Sequence, residues 1–160
     1  TGFFYCRHSV MDRIEPPTVG YHTVDKHEDH MDYDLVYRAN AGRFEEALVN
    51  FTGIWGLDAA VRMQLKLGPT EIQRHIQALT SRAAEGLRAR GHAITSPFGD
   101  DERSGIVSFR HASIKAEEIA ARLREAGVDL AVRNGALRIS PSYYNDAHEI
   151  DRFLDTLPPA

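Results

Sequence analysis

Two arginines and three histidines are the residues of this sequence best suited to chemistry. The stretch A-V-R-N-G-A-L-R-I-S, Ala131 to Ser140, holds Arg133 and Arg138 on either side of an Asn-Gly pair. A guanidinium keeps its charge and pairs bidentately with a carboxylate or phosphate. The stretch Y-H-T-V-D-K-H-E-D-H-M-D-Y-D holds His22, His27 and His30 among Asp25, Glu28, Asp29, Asp32 and Asp34. Imidazoles and carboxylates are metal ligands. The spacing matches no metal motif and no helical period orients the side chains, so the residues favour a solvated charged loop. The single Cys6 excludes an internal disulfide framework and a C-x-x-C metal site. It follows an aromatic run and reads as a packed thiol rather than a nucleophile. No G-x-S-x-G, Walker or dinucleotide glycine pattern occurs. No catalytic residue and no metal ligand is therefore assigned.

The elements that must position the arginines are legible. Asn134-Gly135 between alternating apolar residues signals a type I′ hairpin turn, because both residues tolerate positive φ. That turn sets Arg133 opposite Ala136, Val132 opposite Leu137, Ala131 opposite Arg138 and Leu130 opposite Ile139. Side chains alternate faces along a strand. Leu130, Val132, Leu137 and Ile139 form the core face, and Ala131, Arg133, Ala136 and Arg138 the open one. From the hairpin alone, Arg138 reads as a solvated arginine, with an anion-binding arginine as the sharper alternative.

Phe3 to Cys6 reads as a short buried strand, and His8 to Ile14 as one or two helical turns stopped by Pro16-Pro17. Thr18 to Ala41 is polar, irregular and long for a loop. Gly53 to Leu67 is helical with a broad apolar face that includes Ile54, Trp55, Leu57, Val61 and Leu65. Thr70 caps a second helix ended by Gly91, with Ile72, Ile76, Leu79, Ala83 and Leu87 inward. A short edge strand at Ile94–Ser96, a charged turn from Gly99 to Ser104 and a strand at Gly105–Arg110 follow. Ser113 caps a helix with Ile119 and Leu123 inward. Asn145 caps a last helix with Ile150, Phe153, Leu154 and Leu157 inward. This order implies an α+β fold: a small, mostly antiparallel sheet covered by helices on one face.

The chain of 160 residues is long enough for a domain with a sizeable core. Its net charge of -4 does not suggest a nucleic-acid partner. No apolar run is long enough to cross a membrane, no signal-peptide pattern is present, and a cytoplasmic setting is the default expectation. The opening T-G-F-F-Y-C, strand-like and without Met, suggests processing or a piece of a longer chain.

Several separated motifs carry a resemblance. R-F-E-E-A-L-V-N-F-T-G-I-W-G-L-D-A-A, Arg43 to Ala60, resembles the R-F-E-x-G-T-x-N-x-x-G-I-x-G-L-x-A-A segment of the class V aminotransferase family, pyridoxal-phosphate (PLP) enzymes of fold type I that include the cysteine desulfurases. T-G-F-F-Y-C-R resembles that family's G-T-G-F-L-Y-V-R strand, and P-P-T-V-G-Y-H-T-V the loop after it. G-I-V-S-F-R-H and V-R-N-G-A-L-R-I-S-P-S-Y-Y-N resemble its later strands. The order is collinear over nearly the whole chain.

The resemblance implies the C-terminal part of such an enzyme. Residues 1–52 correspond to a strand and interface or loop segment of a truncated large domain, and 53–160 to the small C-terminal domain. Arg138 becomes the arginine that binds the substrate α-carboxylate of an amino acid, which reverses the reading from the hairpin alone. Arg133 stays open between a helper there and a solvated residue. Asn50 matches the retained Asn of the cofactor-contacting G-T-x-N, whereas Leu48 stands where the family's Thr contacts the phosphate. The Schiff-base lysine would lie upstream of Thr1, and Lys26, Lys66 and Lys115 are not in its context. The chain alone is therefore expected to bind no cofactor and to be inactive, with a missing N-terminal PLP-binding domain and a homodimer implied. The two-residue Asn134-Gly135 turn leaves no room for the desulfurase loop cysteine. An aminotransferase, lyase or epimerase remains possible, as does a vestigial association domain of the same fold or a metal-binding domain using His22, His27 and His30.

Overall fold

The computed structural model describes residues 1–99 and 101–160. The chain divides into two compact units, Thr1–Met63 and Gln64–Ala160.

In the first unit, Phe3 to Cys6 is not the expected buried strand. These residues enter no regular element, and Phe3, Phe4 and Tyr5 are exposed. An extended segment becomes a strand only where a neighbour accepts its backbone bonds, and among the described residues none does. A 3-10 turn follows at His8–Arg13, with Met11 buried. The polar loop is tied by a lone antiparallel bridge, Val24 to Tyr37. It is also tied by the buried Thr23, whose hydroxyl donates to the Glu45 carbonyl and accepts from the Gly20 N–H. Helix α1 (Phe51–Leu67) buries none of its residues, and Trp55 and Leu65 stand well exposed.

The second unit holds the core. Helix α2 (Pro69–Ala89) starts one residue before the expected Thr70 cap. Pro69 needs no N–H donor there and Gly68 takes φ 88°, so proline and glycine start the helix. Its C-terminal apolar stripe, Leu79, Ala83 and Leu87, is buried, while Ile72 and Ile76 are half-buried. Strand β1 (Ala93–Ile94) stops before Ser96, whose Oγ accepts the Ser108 N–H that a longer strand would have paired. Strand β2 spans Val107–Arg110. Helix α3 (Ala116–Glu125) begins after the expected Ser113 cap, because the His111 Nδ1 accepts the N–H groups of Ser113 and Ile114. Helix α4 (Ala147–Thr156) is capped by Asp146 in a reciprocal box with Glu149. The expected cap, Asn145, instead accepts from the Ser142 N–H and donates to Glu149. Asp100, part of the expected charged turn, lies outside the described residues.

Strands β3 (Ala131–Arg133) and β4 (Ala136–Ile139) form the hairpin in the expected register, Ala131 to Arg138, Val132 to Leu137 and Arg133 to Ala136. Asn134 and Gly135 both adopt positive φ, 50° and 68°. The sheet is antiparallel in the order β1-β2-β4-β3. Val107, Phe109, Leu137 and Ile139 meet Leu87, Ile119, Leu123, Ile150 and Phe153 in one core, with Leu130 and Val132 at its margin. The fold is α+β, a small antiparallel sheet with helices, as the sequence implies.

Candidate functional site

Strand alternation delivers Arg138 to the sheet face opposite this core. Its neighbours along β4, Leu137 and Ile139, are buried. Its cross-strand neighbours are Ser108 on β2 and Ala131 on β3. Arg138 is half-buried, and its Nε is fully buried with no hydrogen-bond partner among the described residues. An unsatisfied buried donor costs about 1–3 kcal/mol, more when charged. Arg103 has a buried, unpartnered Nε as well, but its Nη2 donates to the Gln77 carbonyl and to the Ser81 hydroxyl, whereas no nitrogen of Arg138 has a protein acceptor among the described residues. Arg82 holds Asp151 with two bonds of 2.6 and 2.7 Å, and Arg152 donates to the Ala126 carbonyl at 2.6 Å. Arg138 also borders a cleft of about 270 Å³ with Leu130, Ala131, Ser140 and Asn145. Glu149, also on that cleft, already accepts the Asp146 N–H and the Asn145 amide.

Arg133 is exposed and, among the described residues, donates only to its neighbour, the Val132 carbonyl. Arg110 carries no local signal in the sequence and is not among the expected site residues. Its two guanidinium nitrogens donate to the turn carbonyls, to Gly135 at 2.9 Å and to Asn134 at 2.8 Å. This latch lies one step beyond the Phe109–Leu137 pair, and Ala136, expected on the open face, is buried near it. Only the cross-strand register, which a single sequence does not specify, brings Arg110 to the turn.

The three histidines do not assemble a metal centre. Their rings gather around Tyr21, with centroid distances of 4.9 Å for His22, 5.5 Å for His27 and 5.6 Å for His30. Among the described residues no three His, Cys, Asp or Glu side chains are placed to hold one ion. The aromatic packing uses the ring bodies and does not converge the nitrogens.

Asn50 sits at the start of α1. Its Oδ1 accepts the Gly53 N–H at 2.9 Å and its Nδ2 donates to the Thr1 hydroxyl at 3.2 Å. The concavity beside it is lined by Thr1, Gly2, Glu45, Glu46 and Leu48. Leu48 is fully exposed and offers no donor. Glu45 and Glu46 bring carboxylates and Ala47 and Leu48 apolar groups, so the side chains of residues 45–48 offer a phosphate dianion no donor.

The class V aminotransferase family model matches residues 1–153. A probable cysteine desulfurase of Methanothermobacter thermautotrophicus is 30% identical across 98% of this chain and 42% of its own length. The uncharacterised aminotransferase YcbU of Bacillus subtilis is 23% identical across 97% of this chain and 40% of its own length. The apo cysteine desulfurase of Thermococcus onnurineus superimposes with a TM-score of 0.79 at 27% identity, over 94% of this chain and 40% of that one. The cystine C-S lyase C-DES, in complex with cysteine persulfide, superimposes with a TM-score of 0.78 at 22% identity and shares the fold. The arginine-bearing antiparallel sheet thus belongs to a domain type found in larger enzymes. The chain belongs to the class V aminotransferase family, and it spans about two-fifths of the length of these relatives. No helix among the described residues is long and apolar enough to cross a membrane.

Proposed function

We propose that these residues are the C-terminal, substrate-binding part of a PLP-dependent class V aminotransferase-like enzyme acting on an amino acid. The observation that carries the reading is Arg138, a mid-strand guanidinium with a buried, unpartnered Nε on the face away from the core. Arg138 clamps the substrate α-carboxylate. A bidentate clamp fixes how the amino acid lies and so which bond at its α-carbon is presented for reaction. Pyridoxal phosphate, when held by the rest of such an enzyme, supplies the electron sink. Asn50 is the residue here assigned to the cofactor's side of the site, and Leu48 contributes nothing to it. The reading includes an upstream cofactor-holding domain, a homodimer, a cytoplasmic setting and no turnover from these 160 residues alone, since Lys26, Lys66 and Lys115 lie outside the family's lysine context.

The relatives named cysteine desulfurases do not make this chain one. The hairpin turn is two residues long, and the sequence's single cysteine, Cys6, is far from it in the chain. Transamination, lyase cleavage and epimerisation all need the same clamp. A second reading, a non-catalytic association domain, draws on the exposed face of α1 and on Leu48.

The test uses the protein expressed from its complete coding sequence. Arg138→Ala is expected to raise KM for an amino-acid substrate by about a hundredfold, as loss of a charge-assisted bidentate pair should, with thermal stability kept. An unchanged KM would remove Arg138 from the substrate site. A full-length protein that shows no pyridoxal absorbance and binds no amino acid would favour the association reading.

A further inference from the structure

The residue directly across from Arg138 is Ser108. In an antiparallel pair, opposite residues either exchange both backbone bonds or exchange none, and the non-bonded pairs bring their side chains closer. The Ser108 carbonyl accepts the Thr95 N–H at 2.8 Å, and the Ser108 N–H donates to the Ser96 Oγ at 3.1 Å. Both backbone groups of Ser108 therefore point toward β1 and away from β4. Ser108 and Arg138 form a non-bonded pair, with their side chains at the closest cross-strand approach.

Strand alternation puts both side chains on the same face, because Val107 and Phe109 on either side of Ser108 are buried in the core. Ser108 is half-buried, and its hydroxyl has no protein partner among the described residues. The Nε of Arg138 is buried and also lacks a partner. The Arg138 guanidinium and the solvent-accessible Ser108 hydroxyl are thus cross-strand neighbours on one face, and no bond joins them. A carboxylate held by the outer nitrogens of the guanidinium would present an oxygen to the hydroxyl.

We propose that Ser108 is a second anchor of the carboxylate site, its hydroxyl donating to an oxygen of the same substrate carboxylate that Arg138 clamps. This inference rests on the carboxylate role of Arg138. Ser108 selects for geometry: an oxygen bonded to the hydroxyl as well as to the guanidinium turns the carboxylate about the guanidinium plane and fixes the α-carbon relative to the sheet. Ser108 touches the ligand without entering the chemistry, so it is a binding and positioning residue.

The experiment titrates the intact chain with propionate, a carboxylate without an amine, and follows the Arg138 Nε–H resonance by NMR. Four proteins are compared: wild type, Arg138→Ala, Ser108→Ala and Ser108→Thr. For Arg138→Ala the neighbouring Ser108 and Ala131 amides report instead. The expected result is binding lost in Arg138→Ala, weakened about ten- to a hundredfold in Ser108→Ala, as removal of one hydrogen bond to a charged group should do, and restored in Ser108→Thr, which keeps the hydroxyl. Wild-type affinity in Ser108→Ala, with binding lost in Arg138→Ala, would overturn the role of Ser108 and leave that of Arg138 standing. Propionate shifts that are absent in wild type, or equal in Arg138→Ala, would overturn the Arg138 reading itself. Amide spectra of each variant report its fold independently of binding.

Discussion

Replacing Gly135 by alanine tests the frame that holds Arg138. Gly135 has φ 68°, and a Cβ built there would lie 3.2 Å from the Arg110 Nη1. Two penalties follow. An alanine in the left-handed region costs about 1–2 kcal/mol relative to a right-handed one. The new methyl also presses on a guanidinium fixed by two bonds to the turn carbonyls, and displacing it forfeits up to about 1 kcal/mol in an exposed setting. Against these, alanine restricts the unfolded chain and returns about 0.4–1 kcal/mol. The balance is a loss of about 1–2 kcal/mol. For a unit the size of Gln64–Ala160, that lowers Tm by about 5–15 °C. The assay is thermal unfolding of Gly135→Ala, Arg110→Ala and the double variant by circular dichroism. If the methyl acts through the latch, Gly135→Ala costs less once Arg110 is gone, and the cycle is non-additive. A Gly135→Ala protein melting within about 2 °C of wild type would refute the claim that positive φ and the Arg110 latch hold this turn.

Three further outcomes are expected. Gly86 on α2 faces Leu154 of α4 so closely that an added Cβ would lie 2.3 Å from one of its methyls and 2.9 Å from the other. Rotating Leu154 cannot clear both, so Gly86→Ala should destabilise by about 1–3 kcal/mol despite a helix-propensity gain of about 1 kcal/mol; chemical denaturation showing stabilisation would contradict this. His92 is buried against Phe109 and His111. Its pKa is lowered chiefly by burial, then by His111 and Arg90, with the Pro158 carbonyl opposing. The unfolded chain therefore binds its proton first. The contribution is full above the ordinary histidine pKa of about 6.5 and is lost as pH falls through the lower folded value. Melting curves should show wild type losing more stability than His92→Phe between neutral and mildly acidic pH, and identical pH profiles would sink the assignment. Leu137→Ala, at a site with no exposure in the centre of the core, should cost about 2–5 kcal/mol, read as a lower denaturation midpoint with an unchanged slope.

How much of this molecule a single sequence discloses depends on the range of the interactions involved. The hairpin was legible because its cause is local: Asn134 and Gly135 set the turn, the turn sets the register, and the register sends Arg138 one way and Leu137 the other. The inward stripes of α3 and α4 were legible for a similar reason, since a helix repeats its apolar face at short spacing. The misplaced caps show where local reasoning stops. Ser113 and Asn145 are good capping types, but the His111 ring takes the amides of Ser113 and Ile114, and Asp146 forms the capping box that Asn145 was expected to serve. The strand expected at Phe3 to Cys6 failed because pairing depends on a partner strand, which composition does not supply. The candidate site divides in the same way. Arg138 follows from alternation, but its free Nε, the hydroxyl of Ser108 beside it and the Arg110 latch all depend on β2 lying next to β4 in one register. A one-residue slip of β2 would send Ser108 and Arg110 into the core and bring Phe109 out beside Arg138. The buried Val107 and Phe109 oppose that slip, so the same apolar residues that hold the sheet together also determine which polar groups meet on its other face.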